Sequence, residues 1–407
     1  MGNTDRRLDV VVFGATSFVG QILCRHLAKR HGTDGSLRWA IAGRSIDKLD
    51  AVARATGADV ERIVADAADE AALAELAAAT RVVVSTVGPY ALHGSPLVAA
   101  VAAAGTDYCD LTGETQWMRR MIDAHQAYAE ASGARVVHAC GFDSIPSDLG
   151  VWFTQERSLE RFGVPCEQIS MRVHQMKGGA SGGTIASMVN LVEEAAKDPA
   201  LRTLLADPYA LNPTDLRTGP RQPDTMRPTR DAETGEWLAP FVMAAVNTRV
   251  VQRSHALLGR RWGPGFRYDE AMSMGTGPLG AAKASGLVAG LGAGMGMLAF
   301  GPTRDLARRV LPKPGEGPSP QAQLGGSFDI RFSGTTAAGD RIHTQVTGDR
   351  DPGYGATARM LGEAAVALLG LGRDEVGGGF WTPSTALGDR LVERLEAHAG
   401  MRFDVVD

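Results

Sequence analysis

The chain has 407 residues, 44% of them hydrophobic, with 42 Lys plus Arg against 46 Asp plus Glu and a net charge of −4. That length predicts two domains with separate cores, and the absence of any basic and aromatic cluster excludes nucleic acid as the expected partner. Cys24, Cys109, Cys140 and Cys166 form no CxxC pair, which excludes a zinc site or disulfide framework and points to a reduced, cytoplasmic protein.

The opening MGNTDRRLDVVVFG carries an apolar run that flows directly into a glycine turn and is too short for a signal peptide. Through residue 150, apolar β-branched runs alternate with amphipathic helices, the pattern of a parallel sheet with crossover helices. Strands are expected over 8–13, 37–42, 60–65, 81–87 and 135–139. After the first of them Val19, Ile22, Leu23 and Leu27 recur at helical spacing, and Gly32 ends the helix.

From Ile169 the pattern changes. ISMRVHQM reads as a strand, and KGGASGGTIASMVNLVEEAAKD reads as a glycine turn opening a helix at Thr184. Residues 207–235 hold five prolines, Pro208, Pro213, Pro220, Pro223 and Pro228, and are expected to be an irregular lid or disordered loop. Residues 284–303 carry no charge, with Gly286, Gly290 and Gly294 spaced as GxxxG. Two readings are open for them: a segment packed inside the second domain or at a subunit interface, and a surface touching lipid or a long acyl chain. SFDIRFSGTTAAGDRIHTQVTG reads as a hairpin, and helices are expected over 357–369 and 386–399. The expected division is a nucleotide-binding domain over 1–150, an α+β substrate or dimerisation domain over 151–350, and closing helices over 351–407.

VVVFGATSFVG supplies a strand, a glycine turn and a helix, the arrangement that holds a dinucleotide pyrophosphate at a helix N-terminus. Gly14 and Gly20 take the outer positions, and Ser17 replaces the central glycine with a hydroxyl able to donate to a phosphate. Gly14, Ala15, Thr16, Ser17, Phe18, Val19 and Gly20 are therefore candidate coenzyme contacts. The second strand ends in AIAGRS, where NAD sites carry an acid for the ribose 2′-hydroxyl. Arg44 and Ser45 stand there instead, and a guanidinium at that place attracts the 2′-phosphate of NADP. Asp66 either borders the adenine or caps a helix.

VVVSTVGPYALHG ends the fourth strand at the carboxyl edge where such sheets bind ligands, so Ser85, Thr86, Val87, Gly88 and Pro89 are expected beside the nicotinamide ribose. Tyr90, Asp143 and Lys177 are the candidate catalytic groups, with Ser144 beside Asp143 and Thr184 beside Lys177 as further candidates. Tyr90 reads equally as a packed turn aromatic, Asp143 and Asp148 as caps around Ile145-Pro146, and His93 and His138 as packed histidines.

GATSFVG, AGRS, VVVSTVGPYALHG, GTDYCDLTGE, GFDSIPSDLG, SGGTIASM, DPGYGATARMLGEAA and GGFWTPSTALGDRLVERLEAHAG occur in this order over nearly the whole chain. The chain thereby resembles the saccharopine dehydrogenase-like oxidoreductases, and within them the trans-acting enoyl reductases. The resemblance implies an α/β Rossmann domain, a doubly wound parallel sheet, joined to an α+β domain like that of saccharopine reductase, with final helices folding back on the nucleotide domain. It also implies NADPH-dependent reduction of a carbon–carbon double bond in a long or carrier-bound acyl chain, in partnership with a polyketide synthase lacking its own enoyl reductase. Ser17 departs from the glycine usual in this family.

Other readings stay open at this point. A saccharopine-type imine reductase needs a basic cluster, for which Arg172, Lys177, Arg249 and Arg253 are available. A semialdehyde dehydrogenase needs a cysteine nucleophile, for which Cys140 is placed. A non-catalytic NADP(H) sensor associated with lipid through 284–303 needs only the glycine turn. Peripheral membrane contact through that segment and a homodimer are both compatible with the sequence.

Overall fold

A computed structural model describes residues 6–178, 182–299, 317 and 319–406. The first sheet is formed by β1 (Leu8–Phe13), β2 (Trp39–Gly43), β3 (Glu61–Val64), β4 (Thr80–Ser85), β5 (Asp107–Asp110) and β6 (Arg135–Val137). They alternate with α1 (Phe18–His31), α2 (Ile46–Thr56), α3 (Glu70–Ala79), α4 (Tyr90–His93), α5 (Ser95–Ala104) and α6 (Thr115–Ser132), and α7 (Ile145–Phe162) leads out of the sheet. All the pairings are parallel, and the order is β3-β2-β1-β4-β5-β6. This is the doubly wound arrangement, with its switch point between β1 and β4. β1 is buried at every position because helices cover both faces, and its LDVVVF run is nearly continuous in apolar character for the same reason.

The second sheet is mixed. Its elements begin with β7 (Cys166–Lys177), α8 (Gly182–Lys197), α9 (Pro199–Ala206), β8 (Thr229–Arg230), β9 (Trp237–Pro240), α10 (Ala244–Leu257) and β10 (Arg267–Ser273). They continue with α11 (Gly277–Ala299), α12 (Pro320–Leu324), and the hairpin β11 (Ser327–Thr336) and β12 (Arg341–Gly348). α13 (Thr357–Leu369), β13 (Gly379–Trp381), α14 (Pro383–His398) and β14 (Met401–Val405) close the chain. β13 adds in parallel to β6, and β14 adds antiparallel to β12, so the last residues supply an edge strand to each sheet as well as helices.

Two expectations are corrected. The proline-rich stretch is not wholly irregular: Thr214–Leu216 forms a 3-10 turn and β8 pairs with β9. Its start is anchored, with Tyr209, Ala210, Leu211 and Asn212 buried. Among the described residues the apolar segment is not packed inside the second domain, because α11 leaves Gly286, Gly290, Gly292, Gly294 and Gly296 exposed with no described atom near the place of a Cβ. One side does lean on α8, through Leu298 against Val189. Residues 300–303 lie outside the described residues.

Arginines at the amino edge of the first sheet hold the closing helices. A helix leaves its last carbonyls without intrahelical donors. At the end of α13, Arg135 Nη2 donates to Leu368 O at 3.1 Å and Arg135 Nη1 to Leu371 O at 2.9 Å, while Arg81 Nη2 donates to Leu369 O at 2.9 Å. Arg390 reaches Gly370 O. Positive charge is also favourable at a helix C-terminus. Arg135 itself is buried and paired with Asp107 of β5, to which Arg373 adds a bond of 2.8 Å. On the same helix Glu363 is fully buried between His26 of α1 and Arg394 of α14. Burial raises its pKa, but the His26 hydrogen bond and the Arg394 charge outweigh that and hold it below the usual carboxylate range.

Breaking a buried ion pair from one side typically costs about 3–5 kcal/mol. Arg135→Met leaves Asp107 to the half-exposed Arg373 alone and uncaps α13, so its unfolding free energy in urea should fall by about that much. A loss below about 1 kcal/mol, the range of an exposed pair, would contradict this role.

Candidate active site at the carboxyl edge of the first sheet

The glycine turn is shaped by missing side chains. Gly14 adopts φ +88°, and a Cβ there would lie 2.6 Å from Val87 Cγ2. A Cβ on Gly20 would lie 2.4 Å from Gly14 O, so α1 rests directly on the turn. Ser17 is the N-cap of α1, accepting from Gly20 N at 2.9 Å and donating to Thr86 Oγ1 at 2.9 Å. Thr86 Oγ1 in turn donates to Gly14 O at 2.9 Å. The hydroxyl expected to face a phosphate is therefore spent on binding the first loop to the fourth, and the cap is worth about 1 kcal/mol to the helix. Phe18 and Val19, at the first two helical positions, have amides without intrahelical acceptors, which remain for an anion.

These residues fit a dinucleotide: the turn has no Cβ where backbone must approach, and the helix N-terminus follows it. Ala15 is buried, and Thr16 reaches toward Gly43 at the end of β2. The Phe18 ring meets Tyr354 edge-on at 5.1 Å, which brings the DPGYG segment over the start of α1. Arg44 is exposed, and among the described residues no hydrogen bond or ion pair holds its guanidinium. Ser45 caps α2 at Lys48 N. Asp66, exposed after β3, accepts from Ala68 N at 3.0 Å, and the cap of α3 is Asp69 instead. Ser85, Thr86, Val87, Gly88 and Pro89 form the loop after β4, with Gly88 exposed.

Tyr90 is packed into the turn after β4. It is 3% exposed, its hydroxyl donates to Ser85 O at 2.9 Å, and its ring packs on Trp117. Burial pushes its pKa well above the usual phenol value, with the Asp110 charge adding to the effect. Lys177 sits exposed at the end of β7, opposite Ser327 of β11, and no hydrogen bond or ion pair joins it to Tyr90 or Asp143 among the described residues. The structure thus does not assemble the three candidate groups into one cluster.

Asp143 stands out. It follows β6, is half-buried, and among the described residues its carboxylate has no hydrogen-bond partner beyond its own backbone amide, whose donation opposes the effect of burial. The carboxylate lies against two glycines: a Cβ on Gly113 would be 3.5 Å from Oδ1, and one on Gly141 would be 3.4 Å from Oδ2. Burial, helped by the Asp110 charge, pushes its pKa up to about 7. Neither acid caps α7: Asp148 instead accepts from Ser384 N at 2.7 Å, at the start of the distant α14.

Two acids that sequence reasoning passed over organise the neighbourhood. Glu114 is 3% exposed and accepts from Tyr90 N at 2.8 Å, Ala91 N at 2.9 Å and Ser187 Oγ at 2.9 Å, tying the loops after β4 and β5 to α8 of the second domain. Burial raises its pKa, against those donors. Asp110 holds His138 Nδ1 at 2.8 Å, and the ring packs on Trp117 and Phe380. The available signal was an acid directly after an apolar strand end, in GTDYCDLTGE.

The basic cluster does not form. Arg172 is engaged by Asp231 at 3.1 Å and Asp269 at 2.6 Å, Arg249 donates to Leu205 O at 2.8 Å, and Arg253 is buried against the carbonyls of Leu211 and Phe380. Cys140 is fully buried, which raises its pKa well above the usual thiol value, so it presents no nucleophile. Among the described residues no group of His, Cys, Asp and Glu is placed to hold a metal ion.

No protein-family model matches the chain. A Mycobacterium tuberculosis relative, named as a candidate trans-acting enoyl reductase, is 44% identical over 417 residues, covering 98% of this chain and 97% of its own. The trans-acting enoyl reductases of Mycobacterium bovis and Mycobacterium ulcerans are 41% and 40% identical, each match covering 97% of both chains. Among solved structures, saccharopine dehydrogenase (L-Glu forming) of Saccharomyces cerevisiae matches with a TM-score of 0.53 at 14% identity, over 98% of this chain and 100% of that one, a likeness of fold. With near full-length identity of 40% to 44% to these relatives, the chain belongs to the family of trans-acting enoyl reductases, which are oxidoreductases.

Proposed function

We propose that the chain reduces the carbon–carbon double bond of a long, carrier-bound α,β-unsaturated acyl thioester with NADPH. The observation that carries the chemistry is Asp143: a carboxyl group with no cation and no donor but its own backbone amide among the described residues, its pKa pushed up to about 7 at the carboxyl edge of a dinucleotide fold. A bound nicotinamide coenzyme supplies hydride to the β-carbon. Asp143 in its neutral form delivers the proton to the α-carbon, and its half-exposed position lets it recover that proton from solvent. Gly14, Gly20 and the amides of Phe18 and Val19 hold the pyrophosphate, while the loop from Ser85 to Pro89, braced by Glu114, bounds the nicotinamide ribose.

Arg44 supports NADPH over NADH: it is an unengaged guanidinium at the strand end where an NAD site requires an acceptor. The engaged state of Arg172, Arg249 and Arg253 disfavours an amino-acid substrate with several carboxylates, and therefore the imine reductase alternative. By the family's name the enzyme acts in trans, and its partner is a polyketide synthase that lacks its own enoyl reductase and presents the chain on a carrier. The exposed, uncharged face of α11 supports peripheral contact with a membrane: five exposed glycines disfavour a helix in water by about 1 kcal/mol each, a penalty that hydrocarbon removes by forcing backbone hydrogen bonds.

Asp143 is neutral below about 7, so kcat for trans-2-hexadecenoyl pantetheine should fall as pH rises above about 7. Asp143→Asn should lower kcat by about 10²–10⁴ and abolish that limb. Unchanged kcat in the variant would remove Asp143 from the mechanism. Arg44→Ala should reduce the NADPH over NADH preference about 10-fold or more, the value of a charged hydrogen bond, and an unaltered ratio of dissociation constants would refute the assignment. Vesicles of phosphatidylcholine should sediment the wild type but not Met295→Asp/Met297→Asp; a wild type that stays in the supernatant, or forms a dimer through this face instead, would exclude membrane contact.

A further inference from the structure

Behind the loop carrying Asp143 runs a chain of buried polar side chains that the proposed reaction leaves unused. Ser144 Oγ donates to Asn247 Oδ1 at 3.0 Å. Asn247 Nδ2 donates to Ser147 Oγ at 3.0 Å and to Glu270 Oε2 at 2.9 Å, and the Tyr268 hydroxyl donates to Glu270 Oε1 at 2.8 Å. None of the five is more than 4% exposed. They come from the start of α7, from α10 and from β10, so the chain joins the first domain to the second.

Two features are costly unless they serve a purpose. Ser144 is the N-cap of α7 yet makes no capping hydrogen bond with its side chain, because its hydroxyl is directed to Asn247. A cap forgone costs about 1 kcal/mol. Glu270 is buried with Tyr268, Ser147 and Asn247 as its donors among the described residues and with Asp269 adding like charge, and burial pushes its pKa up to about 7. A carboxylate buried without a cation is destabilising, and such departures concentrate at functional sites. The chain also has a direction. Both Glu270 oxygens accept, one from Tyr268 and one from Asn247 Nδ2, which leaves Asn247 Oδ1 for Ser144.

We propose that Asn247 and Glu270 are positioning residues for Asp143: through Ser144 they fix the backbone that holds the Asp143 carboxyl between Gly113 and Gly141. The inference rests on the reading of Asp143 as the proton donor. A shift on the order of 1 Å at a reacting group is enough to cost up to about 10²-fold in rate.

Glu270→Gln keeps the shape and the bond from Tyr268 but turns an amide toward Asn247, whose own amide then reverses and presents a donor to Ser144. With trans-2-hexadecenoyl pantetheine, kcat should fall about 10-fold or more while the NADPH dissociation constant and substrate KM stay unchanged. Ser144→Ala, which removes one hydroxyl, should lower kcat likewise, and the double variant should be no worse than either single one, since both act by one route. A purely structural role would lower the melting temperature and leave kcat within twofold, and that result, or multiplicative losses in the double variant, overturns the proposal. If Asp143→Asn collapses kcat and Glu270→Gln does not, this inference alone fails. If Asp143→Asn is also silent, the donor assignment fails and takes this inference with it.

Discussion

The close seating of α1 on the turn after β1 governs the rest of the site. Gly20 approaches Gly14 O at a distance that no side chain tolerates, and Gly14 holds a backbone conformation that L residues rarely adopt. This contact aims the N-terminus of α1 across the switch point of the sheet. It also brings the turn against the loop after β4, where Ser17, Thr86 and Gly14 O form a short relay of hydrogen bonds. From there the order continues: the β4 loop is braced by Glu114, Glu114 reaches α8, and the loop after β6 presents Asp143 beside it.

The two domains are joined by polar as much as by apolar contacts. Their shared core runs from Val10 and Val12 of β1 through Met360 and Leu361 of α13 to Phe328 and Phe332 of β11. Within it lie Glu363 with His26 and Arg394, Asp148 with Ser254 and Ser384, and Glu270 with Asn247. Buried carboxylates divide by partner. Glu363, which has a cation, is held ionised, whereas Asp143 and Glu270, which have none, are moved toward neutrality by burial. Only the second kind is suited to exchanging a proton near neutral pH.

Much of the fold was legible because periodicity is local. β1, the β11–β12 hairpin and α13 fall where apolar alternation or helical spacing placed them. β5 was passed over because DYCD is short and bounded by acids, whose burial depends on Arg135 and His138 more than 20 residues away. β13 was hidden in a glycine-rich stretch that becomes a strand only by pairing with β6. In the site, glycine spacing and the arginine after β2 were readable, since each follows from one local requirement. The role of Ser17 was not, because Thr86, which accepts its hydrogen bond, lies 69 residues on. Tyr90 looked like a donor for the same reason: its burial under Trp117 and its bond to Ser85 O are tertiary facts.

The central claim is that this site moves hydride and a proton across a carbon–carbon double bond. Incubation with NADPH deuterated at C4 and a panel of trans-2-enoyl thioesters, imines and aldehydes tests it most directly, with mass spectrometry locating the label. The account predicts deuterium at the β-carbon of the saturated thioester and a solvent-derived hydrogen at the α-carbon. Label on an amine or alcohol carbon with the enoyl thioesters untouched, or tight coenzyme binding with no label transferred at all, would contradict it.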